Sequence, residues 1–168
     1  MIFFEIQNSL HIQLHFDDSL VERTIVVIMS KKKKAAKDNA LLTDYFSDFN
    51  DWPSKWAEGD EDLKIGEGML ESFAVFIKSL IASGLAKKTI KNYMSNLDLL
   101  GNEIIRRLND GDTTYRKLTT NMLILKYIDD ETGPLLPFWD PNDRIELAHH
   151  MAFDATCRKL YKFISPPF

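Results

Sequence analysis

The residues best suited to chemistry in this sequence are a histidine, an aspartate and a cysteine near the C-terminal end. His150 and Cys157 are seven positions apart, which on a helix separates them by two turns, or about 10 Å along the axis. That separation is too long for a thiolate–imidazole pair. His150 and Asp154 have the spacing of an ordinary pair on a helix surface. We therefore predict no catalytic site and interpret Cys157 as a small buried residue.

Other patterns predict neither a metal site nor a nucleotide-binding loop. His11 and His15 share one face of a predicted strand, but the neighbouring sequence lacks the further ligands of a tetrahedral site. The acidic run 58–62 lacks the alternating ligand spacing of a calcium loop, and we interpret it as a solvated linker. Zinc spacings, phosphate-binding glycine loops and serine-hydrolase motifs are absent from the sequence. We therefore expect a protein that is not an enzyme, with no cofactor and no small-molecule substrate.

One cluster of polar side chains has a placement that helix stability does not explain. Lys87, Lys88, Thr89 and Lys91 fall within about the first turn of a predicted helix that begins after Gly84. Positive side chains at this end of a helix oppose its dipole. The cluster therefore indicates an anionic partner.

Two amphipathic helices joined at Ser83-Gly84 are predicted to position this cluster. Gly84 is suited to the left-handed conformation that ends a helix, and Leu85 to folding back onto the finished turn. Each helix carries apolar residues at helical spacing. These residues are Leu70, Phe73, Ile77, Leu80 and Ile81 in the first helix, and Ile90, Tyr93, Met94, Leu97, Leu100, Ile104 and Leu108 in the second.

The segment 66–128 resembles the N-terminal core-binding domain of tyrosine recombinases, the phage-integrase family. The likeness rests on a hydrophobic helix, a turn, and a following helix with Tyr93, Leu97 and Leu100 at the family's spacings. The turn reads Gly84-Leu85-Ala86-Lys87-Lys88-Thr89-Ile90, and the stretch 118–128 resembles the next helix of that domain. The resemblance implies an all-α fold, a small helical bundle of the sterile-alpha-motif-like (SAM-like) type.

Two departures from the family pattern shape the functional expectation. The family has serine where this chain has Ala86, which removes a helix-capping hydroxyl. Only 40 residues follow Ile128, too few for the recombinase catalytic domain, and its arginines, lysine, histidines and tyrosine nucleophile have no counterpart here. The resemblance therefore implies a noncatalytic DNA-binding protein connected with DNA integration and recombination. It would place Lys87, Lys88, Thr89, Lys91 and Asn92 against duplex DNA, with Arg116, Lys117 and Lys126 extending that surface.

The charge distribution leaves a second class of function open. Residues 38–72 contain ten Asp or Glu against two Lys, and residues 73–128 contain nine Lys or Arg against four Asp or Glu. This pattern is compatible with a local surface that binds anions. It is also compatible with neutralisation of the basic segment by the acidic segment within the same molecule. The alternative is therefore a helical protein–protein interaction module, an adaptor or recombinase-interacting protein that binds a protein partner or itself. If the lysines of the cluster lay against Asp60, Glu61 and Asp62, most of the support for DNA binding would be lost.

Composition is that of an ordinary globular protein. The 168 residues are 45% hydrophobic and 27% charged, which fits one domain with extensions. A single cysteine excludes an intramolecular disulfide and indicates a reducing compartment, so we predict a cytoplasmic location. No apolar run approaches the ~20 residues of a membrane-spanning helix, and no signal peptide is recognised. We expect no membrane partner.

Residues 1–37 are predicted to be an extension of a single helical domain at 38–168. Alternating residues at 10–16 and an apolar run at 24–28 are compatible with a hairpin. We favour a second interpretation, in which residues 1–28 precede a native start at Met29. The lysine-rich run 31–37 is interpreted as a flexible tail, with a nonspecific phosphate-binding arm as the alternative.

Further helices are predicted on both sides of the central pair. Asn39 is expected to cap a short helix that ends at Trp52-Pro53, with Trp52 and Trp56 in the core. A later helix is predicted from Tyr115 or Thr120 to Ile128. The last helix is predicted to begin at Asp140-Pro141 and to end near Ile164. Its apolar side should comprise Ile145, Ala148, Met151, Ala152, Ala155 and Leu160.

Overall fold

The structure is a computed structural model that describes residues 39–137, 140 and 142–165. Six α-helices and two short 3₁₀ helices account for most of these residues. No strand occurs among these residues, so the predicted all-α bundle is confirmed. The helices are α1 Ala40–Thr43, α2 Trp52–Trp56, α3 Asp60–Ala82, α4 Lys87–Asp110, α5 Thr120–Ile124 and α6 Arg144–Ile164, and the 3₁₀ helices are Phe49–Asp51 and Thr113–Lys117. The interpretations of residues 1–37, including His11, His15 and the lysine run, lie outside the described residues.

The antiparallel pair α3 and α4 forms the centre of the bundle, as the sequence predicts. Most of the apolar residues of both predicted stripes are buried, and Ile81 and Tyr93 pack at the margin of the same core. Gly84 has a φ of 79°, the left-handed conformation expected for the residue that ends α3. Leu85 packs against the core behind it, as predicted.

Helix α2 inserts its two tryptophans between α3 and α4. Trp52 is fully buried and Trp56 nearly so, which confirms their predicted place in the core. The Trp56 ring lies 5.9 Å from that of Trp52 and 6.4 Å from that of Phe73, measured between centroids. Its indole Nε1 donates a 2.8 Å hydrogen bond to Asp98 Oδ1 on α4. The polar edge of the ring is thereby satisfied within the fold.

Three expectations about the N-terminal elements are wrong. Trp52-Pro53 begins a helix rather than ending one, because Pro53 stands in the first turn, where its missing N–H has no intrahelical partner to lose. Asn39 occupies the N-cap position of α1 but makes no capping hydrogen bond, and its amide instead donates to Asn50 Oδ1 at 3.4 Å. The acidic run 58–62 is no linker, because Asp60 begins α3.

The elements after α4 also differ from the prediction. Of the two predicted starts of the next helix, Thr120 is confirmed, because α5 begins there and Tyr115 belongs to the separate 3₁₀ helix; the predicted end at Ile128 is wrong, because α5 ends at Ile124. Helix α6 ends at Ile164 as predicted, but it begins at Arg144 rather than at Asp140-Pro141. Asp143 is its cap, because its carboxylate accepts hydrogen bonds from the N–H groups of Ile145 and Glu146.

The buried side of α6 is not the predicted one. Phe153, Thr156, Cys157 and Leu160 pack inward, whereas Ile145 and Met151 are 68% and 64% exposed. Of the predicted set, Leu160 is buried and the other five are exposed. The small and apolar residues of that set are therefore exposed rather than part of the core. The burial of a bulky aromatic residue, Phe153, decides the orientation, since it removes more apolar area from water than the alanines would.

We predict that Gly101→Ala lowers the free energy of unfolding by about 2 kcal/mol, in the range of overpacked cores. A Cβ at Gly101 would meet three atoms of the Trp56 ring at 2.5 to 2.7 Å. That ring cannot retreat easily, because its Nε1 is bonded to Asp98. Urea unfolding followed by tryptophan fluorescence measures the loss. The control is Asn102→Ala, at the exposed neighbouring position, which should leave stability unchanged or slightly raised. If Gly101→Ala were as stable as wild type, the packing of Trp56 against Gly101 would be contradicted.

We predict that Asp98→Asn raises stability at neutral pH. Burial of the Asp98 carboxyl raises its pKa above 3.8, and the negative charge of Asp48 adds a smaller contribution in the same direction. The hydrogen bond from Trp56 and the positive charge of Lys55 oppose this shift. A carboxyl whose pKa is raised on folding costs stability once pH exceeds the folded pKa and costs nothing below the unfolded value. The amide oxygen of Asn can still accept the indole bond. Urea unfolding at pH 7 and at about pH 3.5 should therefore show a gain that vanishes on acidification, and a uniform loss at both pH values would refute the assignment.

Candidate nucleic-acid interface

The predicted basic cluster begins helix α4. Ala86 is the N-cap, in extended conformation and with no side-chain hydrogen bond to the first turn. Lys87 is the first helical residue, and no acidic residue occurs in the first turn. The local sequence therefore adds positive charge where the helix dipole already favours anions.

All five predicted contact residues are exposed. Lys87, Lys88, Thr89, Lys91 and Asn92 each retain high solvent accessibility. The structure thus brings them to one end of α4, within two turns of one another.

The three lysines of the cluster form no ion pair with another residue in the described part of the chain. The ammonium of Lys87 lies 5.2 Å from the ring centroid of Tyr45, a cation–π contact that leaves the charge unneutralised. Lys88 and Lys91 are exposed on the same end of α4. Their charges are available to an external anion.

The acidic residues Asp60, Glu61 and Asp62 lie at the opposite end of the α3–α4 pair. Asn109, near the end of α4, donates a 3.1 Å hydrogen bond to Asp62 Oδ2, and Lys87 is roughly 33 Å of helix away from Asn109. The acids therefore do not cover the lysines.

Arg116 is the basic residue that the acidic end does neutralise. Its Nη1 lies 2.6 Å from Asp62 Oδ1 and 3.7 Å from Glu61 Oε2. Asp62 is only 4% exposed. Burial raises the pKa of the Asp62 carboxyl, but hydrogen bonds from Arg116, Asn109 and the Glu58 N–H outweigh it, so the pKa lies below its usual 3.8. The expected match between acidic and basic segments is thus present, but through Arg116.

The other residues expected to extend the basic surface lie beside Arg116, not beside Lys87. Lys117 is exposed in the same 3₁₀ helix. The ammonium of Lys126 lies 5.6 Å from the ring centroid of Tyr115. Arg116, Lys117 and Lys126 therefore do not join the lysine cluster, and the predicted extension of the surface by these three residues is wrong.

A groove between α4 and α6 borders the cluster. Asn96 holds the two helices together, because its amide donates to the Ala152 carbonyl at 3.1 Å and to Thr156 Oγ1 at 2.8 Å. Thr89 and Asn92 line a cavity of about 190 Å³ above this contact. Towards the start of α6 the groove widens into a cavity of about 470 Å³, lined in part by Glu146, His149 and His150.

Contacts within the fold account for the histidine His150 and the cysteine Cys157 of α6. His150 Nδ1 lies 3.2 Å from Asp154 Oδ2, and Asp154 Oδ1 accepts a 2.9 Å hydrogen bond from the Gly133 N–H. The aspartate thus connects α6 to the segment that precedes it. Cys157 is fully buried, as predicted, and burial together with the nearby Asp154 raises the pKa of its thiol far above the usual value.

Two exposed lysines on α6 were not predicted as part of the surface, and one of them reaches α4. Lys159 and Lys162 are exposed, and the ammonium of Lys159 lies 5.4 Å from the ring centroid of Tyr93 on α4. Their spacing along the sequence carries no signal of this, because packing between distant helices creates the proximity.

The described residues contain neither a candidate metal site nor a candidate membrane-spanning helix. No group of three His, Cys, Asp or Glu residues in the described chain could hold a metal ion. None of the helices within residues 39–137 and 142–165 is both long and apolar enough to cross a bilayer. Comparison with protein-family models, curated proteins and solved structures finds no match to this chain.

We predict that Arg116→Met destabilises the protein by roughly 3 kcal/mol at neutral pH, since it strands a buried carboxylate. The pKa of Asp62 is lowered on folding, so its ion pair contributes to the free energy of unfolding above about pH 3.8. That contribution is lost as the pH falls through the pKa of the folded state. The deficit of the variant should therefore shrink in acid. Urea unfolding between pH 7 and about pH 3 measures this, with Lys117→Met, an exposed neighbour, as the control. A deficit that does not depend on pH would argue against the ion pair.

Proposed function

We propose that this chain is a noncatalytic DNA-binding protein related to the core-binding domain of tyrosine recombinases. It would bind duplex DNA through Lys87, Lys88, Thr89, Lys91 and Asn92. In this proposal it acts in the cytoplasm, in DNA integration or recombination, and contributes binding without cleavage.

One observation carries the proposal: the lysines at the start of α4 are exposed and are not covered by the acidic residues of α3. Asp62 is committed to Arg116 at 2.6 Å and to Asn109, and Asn109 lies roughly 33 Å of helix from Lys87. An uncompensated cluster of lysines is the electrostatic feature that phosphate contacts require. The lysines would supply charge, and Thr89 and Asn92 would supply hydrogen bonds to the backbone or a groove.

The size of the cluster sets the expected strength of binding. Three lysines neutralise few phosphates, so the affinity should be on the order of micromolar and steeply dependent on salt. Contacts of this kind fix position on the duplex and carry little sequence information. We therefore expect weak discrimination between duplex sequences.

We predict that Lys87→Glu/Lys88→Glu removes binding to a fluorescently labelled duplex, measured by anisotropy at about 50 and about 200 mM salt. Wild type should bind at the lower concentration and lose most of its affinity at the higher one. The matched control is Lys64→Glu/Lys117→Glu, which makes the same charge change at the acidic end and should bind like wild type. Circular dichroism confirms that each variant is folded. Equal loss in both double variants would attribute binding to net charge and count against this surface.

A helical protein–protein interaction module is the second candidate, and one observation favours it. Ile145 and Met151 on α6 are 68% and 64% exposed, and they lie beside the exposed Ala148, Ala152 and Ala155. Exposed apolar faces of this kind are typical of protein-binding surfaces. Absence of duplex binding at low salt, in folded wild-type protein, would favour this second function.

A further inference from the structure

The groove between α4 and α6 has an open, uncharged floor next to the lysine cluster. Asn96 forms part of the floor, and its amide nitrogen donates hydrogen bonds to the Ala152 carbonyl and to Thr156 Oγ1. Ala152 and Ala155 are exposed along the α6 wall and carry no side chain beyond Cβ to fill the space. A cavity of about 190 Å³ remains between the helices.

The α4 wall of this cavity offers hydrogen-bonding groups that the fold does not use. Thr89 and Asn92 both line it, and neither side chain forms a hydrogen bond with another described residue. A hydroxyl and a primary amide are typical partners of phosphate and sugar oxygens. The cavity therefore presents donors on one side and free space on the other.

Positive charge flanks the same end of the groove from both helices. Lys88 lies one helical turn before Asn92 on the same face of α4, and Lys159 lies one turn after Ala155 on α6. The contact of Lys159 with the Tyr93 ring, at 5.4 Å, directs its ammonium towards α4. Neither lysine has an ion-pair partner in the part of the chain that the structure describes.

The opposite end of the groove carries an acidic side chain. Glu146 lines the wider cavity of about 470 Å³, and its carboxylate would repel phosphate. The favourable region is thus confined to the stretch between Thr89 and Lys159.

We propose that a sugar–phosphate strand of duplex DNA lies in the groove between α4 and α6, with Lys159 as its phosphate contact on the α6 side. This inference rests on the function proposed above and deepens it. The helix that follows the recombinase-like segment becomes half of the interface. Thr89 and Asn92 bind the strand from the α4 side, and Ala152 and Ala155 leave it room.

The test compares two lysines that have similar surroundings. Lys159→Gln removes the proposed phosphate contact, and Lys126→Gln removes an exposed lysine that also lies over a tyrosine ring, at 5.6 Å from Tyr115. Anisotropy titrations of the full chain with labelled duplex, over a range of salt concentrations, measure affinity and salt dependence. Lys159→Gln should weaken binding roughly fivefold and reduce the slope of log K against log salt by about one. Lys126→Gln should change neither quantity.

A second variant tests the groove itself without removing a charge contact. Ala155→Glu places a carboxylate in the cavity at an exposed position, so the fold should be preserved, as circular dichroism will check. Weaker duplex binding is the expected result. Wild-type affinity in both Lys159→Gln and Ala155→Glu, with binding still lost in Lys87→Glu/Lys88→Glu, would overturn the groove while leaving the proposed function standing. No duplex binding by wild type would overturn both.

Discussion

The contact between the Trp56 ring and the bare backbone of Gly101 is the constraint on which the rest of the bundle depends. Helix α2 lies close to both long helices, with Trp56 against Gly101 on α4 and Pro53 against Gly66 on α3. The hydrogen bond from Trp56 to Asp98 holds the ring in this position. A short helix thereby sets the separation of the two long ones, because a Cβ at Gly101 would overlap the Trp56 ring and one at Gly66 would lie only 3.1 Å from Pro53.

Buried charge organises the far end of the same helix pair. Glu103 is 2% exposed and accepts hydrogen bonds from Arg106 and Arg107 at 2.6 to 2.8 Å. Arg107 also donates to the Leu135 carbonyl at 3.0 Å, which connects the segment after α5 to α4. Burial opposes the charge of Glu103, but the two guanidinium groups outweigh it and lower its pKa. The arginines of the basic segment are thus used within the fold, whereas the lysines at the start of α4 remain outside it.

The sequence was sufficient to predict the central helix pair. Apolar residues recur every three or four positions across α3 and α4, and Gly84 marks the turn between them, so periodicity alone identifies both buried faces. The exposed state of Lys87 and Lys88 follows from their place in the first turn, away from the buried stripe. The predicted contact residues therefore lie together because one helix carries them.

Features that depend on contact between distant segments could not be predicted in the same way. The two sides of α6 both contain apolar residues, and only its packing decides that Phe153 is buried and Ile145 exposed. Asp62 belongs to a run of acids that resembles a solvated loop, and its burial depends on Arg116, 54 positions away. Lys159 approaches Tyr93 for the same reason. Each of these outcomes is decided by a partner that local sequence does not reveal.

The position of the exposed lysines at one end of the α3–α4 pair affects how the molecule associates with a charged partner. Asp60, Glu61 and Asp62 stand at one end, and the lysines of α4 and α6 stand at the other. The lysine end therefore carries exposed positive charge without an ion-pair partner among the described residues, although the chain as a whole carries a formal net charge of −4. In the long-range field of a polyanion the domain would rotate before contact and arrive lysine end first. Orientation during diffusion, rather than total charge, would then govern the rate of encounter, and ionic strength would act mainly on association.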